Sequence, residues 1–354
     1  MSRAERTRIV AVRSAFPTHR YPQHELTAKV AELVGLDADG TARLTRLHAN
    51  SGVDHRHTAL PLDELDAVRG IAPANDRYIE AAVDLGGRAL RDALDAAGLA
   101  GHDLDLLIVT SVTGVAVPSL DARLIPALGL RPDIKRLPIF GLGCVAGAAA
   151  LGRMHDYLLA WPQHRAALLA VELCSLSWPK ADATTADLVS TGLFGDGAAA
   201  LIASGDGPGR GPRVVASHSE VYPDSGDMLG WRLGGDGFRI VLTAELADVV
   251  ERHLHRSVTA FLAAHGLTVA QVGTWVCHPG GPRVIDAVQN SLGLPDSAVQ
   301  TSRRSLAEVG NLSSVSVLHI LEKTMAAERP APGSPGLMIG LGPGVSVELV
   351  LLQW

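Results

Sequence analysis

The feature that most constrains how this chain can fold is a long unit that occurs twice within it. ALRDALDAAGLAGHDLDLLIVTSVTG (Ala89 to Gly114) reads as an Ala/Leu helix, a turn at Gly98 and a buried strand, LDLLIVT. SVTAFLAAHGLTVAQVGTWVCHPGG (Ser257 to Gly281) has the same order, with Gly266-Leu267 falling 168 positions after Gly98-Leu99. Two further pairs follow in sequence. LPIFGLGCVAGAAALGRMHDYL and LAEVGNLSSVSVLHILEKTM each carry a Gly turn and a helix, so Gly143-Cys144 matches Gly310-Asn311. GLFGDGAAALIA and GLGPGVSVELVLL each place a glycine corner before an apolar strand. Three matches in one order indicate an internal duplication, and the lack of a shorter period excludes solenoids and propellers.

Helices alternating with apolar strands in both halves imply a layered α/β architecture with sheets covered on both faces. The halves are expected at 1–204 and 214–354, joined by a Gly/Pro connector at 205–213 within SGDGPGRGPR. A second loop, ERPAPGSPG, precedes the final strand. With 354 residues, 47% apolar and 19% charged, the chain can bury a large core. A net charge of −6 argues against nucleic acid as a partner. Three cysteines without CxxC spacing fit a reducing compartment, and the N-terminus lacks a signal-peptide core, so the cytoplasm is expected. The longest uncharged apolar stretch, Ile139 to Gly152, is shorter than the ~20 residues of a spanning helix, so no membrane span is expected.

Three residues stand where this architecture exposes chemistry. Cys144 follows the glycine corner Gly141-Leu142-Gly143 and opens a helix, where the backbone dipole favours thiolate. The same position suits a buried structural cysteine. His278 ends the strand TWVCHPGGP and is thrown into a Gly/Pro turn; a hydrogen-bonded core histidine is the alternative. Asn311, in VGNLSSVSV, starts a helix, where Asn is a favoured cap. The duplication places it at the counterpart of Cys144, facing the same pseudo-symmetric cleft.

In order and spacing, GLGCVAG, GLFGDGAAALI, CHPGGPRVID, EVGNLSSVSV and IGLGPGVSVELVL resemble the type III polyketide synthases, the chalcone synthase-like enzymes of the thiolase superfamily. The resemblance runs from about Arg8 to Trp354. It implies a homodimer with a five-layered αβαβα thiolase-like core built from two pseudo-duplicated halves. It also implies that Cys144 takes an acyl starter from coenzyme A, while His278 and Asn311 bind the thioester carbonyl and drive decarboxylation of malonyl-CoA. The product would be a pyrone, resorcinol or related aromatic polyketide. The chemistry is consistent, since departure of CO2 deposits charge on a thioester oxygen that two donors can stabilise, and an imidazolium at His278 could hold Cys144 as thiolate. No cofactor or metal is required.

By the same resemblance Phe194 and Phe238 match aromatic gatekeepers between a coenzyme A tunnel and the cavity, and GLGPG matches a loop that shapes the cavity scaffold. Thr113, Cys174, Ser177, Leu229, Gly230, Phe238 and Ser313 align with pocket walls. Arg43 and Arg46, spaced to share a helix face, align with contacts to coenzyme A phosphates, and Asn50 stands where plant members carry a third basic residue. DMLGWRLGGDGFRIVL, with small Gly230, Gly234 and Gly235, resembles members using fatty acyl starters more than those making tetrahydroxynaphthalene, so a long tunnel is expected.

The nearest rival is a ketoacyl-ACP synthase III, which shares the Cys, His, Asn set but performs one condensation on a carrier protein. HPGGP, GNLSS and GLGPG together favour the polyketide synthase. A cysteine hydrolase would also use Cys, His and Asn, but its local cysteine signatures are missing. A silent acyl-CoA-binding subunit is opposed by three intact reactive positions.

Overall fold

The computed structural model describes residues 7–179, 182–205, 211–234, 237–327 and 330–354. Positions 206–210 of the expected connector, Gly235, and residues 328–329 of the second loop lie outside the described residues. The first half runs β1 (Arg8–Ala15), β2 (His19–Pro22), α1 (Gln23–Val34), α2 (Ala38–Ala49), β3 (His55–Thr58), α3 (Ile71–Ala97) and β4 (Leu106–Thr110). It continues through α4 (Leu120–Ala127), β5 (Lys135–Ile139), α5 (Ala146–Ala160), β6 (Arg165–Leu173), α6 (Thr185–Leu193) and β7 (Asp196–Ser204). The second half begins with β8 (Arg213–Val221), a hairpin of β9 (Leu229–Gly234) and β10 (Gly237–Leu242), α7 (Leu246–Ala264) and β11 (Thr274–Cys277). It ends with α8 (Pro282–Leu292), α9 (Asp296–Val309), α10 (Ser316–Ala327), β12 (Pro335–Gly342) and β13 (Ser346–Gln353).

The repeat read in the sequence reappears in three dimensions. Helix α3 ends at Gly98 and α7 is followed by Gly266, both glycines left-handed. Each leads through a short 3-10 turn, Gly101–Asp103 or Val269–Gln271, into a buried strand, β4 or β11. The nine main strands order as β11-β12-β13-β8-β1-β7-β6-β4-β5. The two halves of this sheet meet at β1 and β8, which share one registered pair, Arg8 with Arg213.

Strand alternation explains the layering, because successive side chains point to opposite faces. On β6, Ala166, Leu168 and Ala170 join the central core, while Ala167, Leu169 and Val171 join the outer core under α3 and α4. On β13, Val350 and Leu352 face the centre, and Val347, Leu349 and Leu351 face α7 and α8. The central core is filled by α5 and α10, the two helices that open beside Cys144 and Asn311. The result is the αβαβα succession, with β6, β7 and β12 buried on both faces over nearly their whole length.

The middle layer is thin because α5 starts with Ala146-Gly147-Ala148-Ala149-Ala150, all buried. A Cβ on Gly147 would lie 2.2 Å from the Ser314 carbonyl oxygen and 2.9 Å from Val317 Cγ2, so hydrogen is the only side chain that fits. We predict that Gly147→Val destabilises the protein by about 1–3 kcal/mol or more, the range for overpacking a dense interior. Urea unfolding of the purified variant measures this, and an unchanged midpoint would show that the helices can separate freely.

Candidate active site

Cys144 occupies a 3-10 turn, Gly143–Val145, that feeds directly into α5. Gly143 has φ of 54°, and a Cβ there would strike Pro343 Cγ at 2.5 Å, so the GLGPG loop packs tightly against the nucleophile turn. The Cys144 thiol is buried and donates to Ser313 Oγ at 3.5 Å. Ser313, on the second half, has a left-handed φ of 52°, a conformation costly for serine and concentrated at functional sites. Cys144 and its duplicate region thus touch across the pseudo-symmetry axis.

Asn311 resolves two readings into one. Its Oδ1 accepts from the Ser313 backbone N–H at 2.9 Å and from Ser316 Oγ at 3.4 Å, which caps the turn into α10. This fixes the amide orientation. Its Nδ2 donates to the Gly280 carbonyl at 3.4 Å, and the second N–H of that group has no partner among the described residues. Capping and donation to a ligand therefore use opposite ends of the same side chain.

His278 follows β11 and is buried, with its Nδ1 lacking any hydrogen-bond partner. An orphaned buried nitrogen costs about 1–3 kcal/mol, a cost that a ligand can offset. Burial pulls the imidazole pKa down to about 3 and pushes the Cys144 thiol up to about 12, with Ser313 opposing and the nearby Glu172 reinforcing the latter shift. Burial thus works against the thiolate–imidazolium pair that the sequence suggests. Desolvation outweighs the helix-end dipole, and no hydrogen bond joins Cys144 to His278 among the described residues.

Phe194 is buried at the end of α6, 6.4 Å ring to ring from Trp231. Trp231 lies 6.5 Å from Phe238, which in turn lies 6.4 Å from the exposed Phe140. Phe194, Trp231 and Phe238 close a small cavity lined also by Cys174, Ser177, Trp178 and Ile240. A neighbouring cavity is lined by Thr113, Ser177, Trp178, Phe238 and Asn75. Cys144, Cys174, Leu193, Phe194 and Ile240 form one apolar cluster with Trp231 and Leu242 packed on it.

One pocket assignment is corrected here. In the β9–β10 hairpin, Trp231 pairs with Ile240, Leu229 with Leu242, and Gly230 with Val241. Directly paired residues share a face, so Leu229 lies on the Trp231 side and Gly230 points away from the cavity, with open space around its missing Cβ. Trp231 was missed although the alternation Leu229, Trp231, Leu233 in the sequence marks it. Glu172 was also missed, since a lone glutamate in the apolar run RAALLAVEL gives no hint of its partners. Fully buried, it accepts from Val112 N–H at 3.1 Å, Thr113 Oγ1 at 3.0 Å, Ser111 Oγ at 3.4 Å and from Ser314 Oγ, and burial raises its pKa to about 7. Thr113 thus both lines a cavity and holds this carboxyl.

Arg43 and Arg46 are exposed on α2, without a recorded carboxylate partner. Among the described residues no cluster of His, Cys, Asp and Glu has metal-ligating geometry, and no helix is long and apolar enough to cross a membrane.

We predict that alkylation of Cys144 by iodoacetamide rises about tenfold per pH unit from pH 7 to 9, since a thiol of pKa about 12 gains thiolate throughout that window. Intact-mass kinetics supply the rates, and a plateau near pH 8 would reveal a pre-formed thiolate.

The comparisons with known proteins agree with this geometry. Residues 2–208 match the N-terminal domain of the chalcone and stilbene synthases, and residues 213–354 match their C-terminal domain. A 1,3,6,8-tetrahydroxynaphthalene synthase of Streptomyces peucetius subsp. caesius is 50% identical over 352 residues, covering 98% of this chain and 93% of the relative. A 3,5-dihydroxyphenylacetyl-CoA synthase of Amycolatopsis orientalis is 34% identical, covering 99% of this chain and 94% of that protein. The crystal structure of 1,3,6,8-tetrahydroxynaphthalene synthase from Streptomyces coelicolor A3(2), a bacterial type III polyketide synthase, superposes with a TM-score of 0.93 at 30% identity, covering 98% of this chain and 99% of that one. The ketoacyl-ACP synthase III alternative gives way, and the chain belongs to the chalcone and stilbene synthase family, as a type III polyketide synthase.

Proposed function

We propose that the enzyme builds 1,3,6,8-tetrahydroxynaphthalene, or a close aromatic relative, with malonyl-CoA serving both as starter and as extender. The observation that carries this reading is Trp231, whose indole stands between Phe194 and Phe238 against the Cys144–Cys174 cluster. A bulky ring there leaves room for a short starter and opposes a long alkyl chain. The fatty-acyl preference expected from DMLGWRLGGDGF is thereby abandoned, because it relied on Gly230 facing the tunnel. The 50% identical tetrahydroxynaphthalene synthase supports the same change.

In this reading Cys144 attacks the starter thioester, forming an enzyme-bound acyl group and releasing coenzyme A. Its proton ends on the departing coenzyme A sulfur, so a thiol is consumed and a thiol is released. Malonyl-CoA then loses CO2, and the electron pair passes to the thioester oxygen. His278, kept neutral by burial, and the free N–H of Asn311 donate to that oxygen. Two uncharged donors in a dry site favour the enolate without first having to be desolvated. The enolate carbon attacks the acyl carbonyl, its bond to the Cys144 sulfur breaks, and a β-ketoacyl-CoA results; transfer of that chain back to Cys144 with release of coenzyme A lets the cycle repeat until Phe194, Trp231 and Phe238 shape its ring closure.

Arg43 and Arg46 are assigned to coenzyme A phosphates, where exposed guanidinium groups can bind bidentately. No cofactor enters the scheme, and the cytoplasm is its setting. The chain is taken to act as a homodimer. Edge strand β5 and the segment after it expose Leu137, Phe140 and Leu142, an apolar surface suited to burial against a second copy.

Incubation with malonyl-CoA alone, followed by mass spectrometry, is expected to yield a mass matching tetrahydroxynaphthalene. A product formed only when a long-chain acyl-CoA is added would overturn the starter assignment. His278→Ala and Asn311→Ala should each slow malonyl-CoA decarboxylation by roughly 10²–10³-fold, the cost of one oxyanion donor. Radiolabelled CO2 release reads this, and near-normal release from Asn311→Ala would reduce that residue to a cap. Trp231→Ala should admit longer acyl-CoA starters, whereas Gly230→Leu should leave the product profile within twofold of wild type. A changed profile in Gly230→Leu would reverse the face assignment of the hairpin.

A further inference from the structure

Arg56, on β3, is among the largest fully buried side chains in the protein, at 1% exposure, yet it touches neither Cys144 nor a cavity. Burying a cation is costly unless its donors are used, and here they are. Nη1 donates to the Phe194 carbonyl at 2.7 Å. Nε and Nη2 both donate to Gln23 Oε1, at 3.1 and 2.9 Å. The guanidinium carbon lies 5.6 Å from the ring of Trp178, which lines both small cavities. The fully buried carboxylate of Asp196 supports the charge, and the group titrates near 10, so it stays a cation at neutral pH.

The Phe194 carbonyl that Arg56 grips belongs to the segment paired with the asparagine. The Asn311 N–H donates to the Leu193 carbonyl at 2.8 Å, and the Gly195 N–H donates to the Asn311 carbonyl at 3.0 Å, forming a parallel bridge between Phe194 and Asn311. The stem of Arg56 covers Gly310, the residue before Asn311. A Cβ on Gly310 would meet Arg56 Cδ at 2.9 Å and Leu193 O at 2.8 Å, and its φ of 76° favours glycine in any case. Gln23 extends the grip, donating from Nε2 to the Gly192 carbonyl at 2.7 Å and to Ser51 Oγ at 3.1 Å. The last carbonyls of α6, which no intrahelical donor can reach, are therefore held from the same side by an amide and a cation.

We propose that Arg56 is a positioning residue for the decarboxylation and condensation steps: by holding the Phe194 carbonyl while its stem packs on Gly310, it sets the bridged Phe194 and Asn311 in register with each other. It acts through Asn311 and the gate, not on Cys144, whose turn is braced separately by Pro343 and Ser313. The proposal rests on the assignment of Asn311 to malonyl-CoA decarboxylation.

Arg56→Lys keeps the charge but cannot span the Phe194 carbonyl and Gln23 together. In the folded variant we expect kcat for malonyl-CoA decarboxylation to fall tenfold or more, with KM within threefold and Cys144 alkylation by iodoacetamide within twofold of wild type. Gln23→Ala, which removes the relay without changing charge, should lower kcat in the same direction by threefold or more. Decarboxylation and alkylation falling in parallel, or kcat within twofold of wild type, would assign Arg56 to general stability and overturn the proposal, as would failure of both variants to fold. Asn311→Ala in the same assay separates the two layers of argument. If it decarboxylates normally, the asparagine assignment is what fails; if it is impaired while both Arg56→Lys and Gln23→Ala are not, only the positioning role fails.

Discussion

Everything in this molecule is organised around the contact of α5 with the start of α10 at its centre. Gly147 lies against the Ser314 carbonyl, at a separation no side chain could share. That approach brings the amino ends of two helices, one from each half, to a single place. Cys144 enters one and Asn311 the other, so the positions of these two candidate residues follow directly from how the duplicated halves pack. The strands on either side must then bury both faces, which is why β6, β7, β12 and β13 are mostly apolar.

Two buried charged groups tie this centre together. Glu172, on β6 of the first half, gathers donors from Ser111, Val112 and Thr113 and one from Ser314 of the second half. Arg56 gathers the carbonyl of Phe194 and the amide oxygen of Gln23. Such groups are expensive to desolvate, and fully satisfied networks of this kind specify one arrangement over near alternatives. Here they fix the segments carrying Thr113, Phe194 and Asn311, leaving the cavity walls little freedom to drift.

The chemistry of the site follows from dryness more than from charge. A thiol of high pKa and an imidazole of low pKa describe a neutral pocket awaiting its ligand. That state suits an enzyme whose reaction creates negative charge on a substrate oxygen, since neutral donors can meet it without competing against a resident ion pair.

Much of this was legible in the chain itself. The 168-residue offset, the glycine corners and the placement of Cys144, His278 and Asn311 at matched element ends are local patterns, dictated by backbone sterics and by hydrophobic periodicity. They were enough to read the layered α/β fold and to single out three candidate residues, of which Cys144 meets Ser313, two residues after Asn311, while Asn311 meets Gly280, two residues after His278. What the chain alone could not decide depends on which distant groups meet. Whether Cys144 rests as thiol or thiolate was settled by burial, which no local motif encodes. The choice between Gly230 and Trp231 was settled by hairpin register, where a shift of one residue exchanges the faces. The partners of Glu172 and Arg56 lie up to 142 positions away in sequence: Ser314 meets Glu172 only when the two halves close on each other, and Phe194 meets Arg56 only through the folding of the first half.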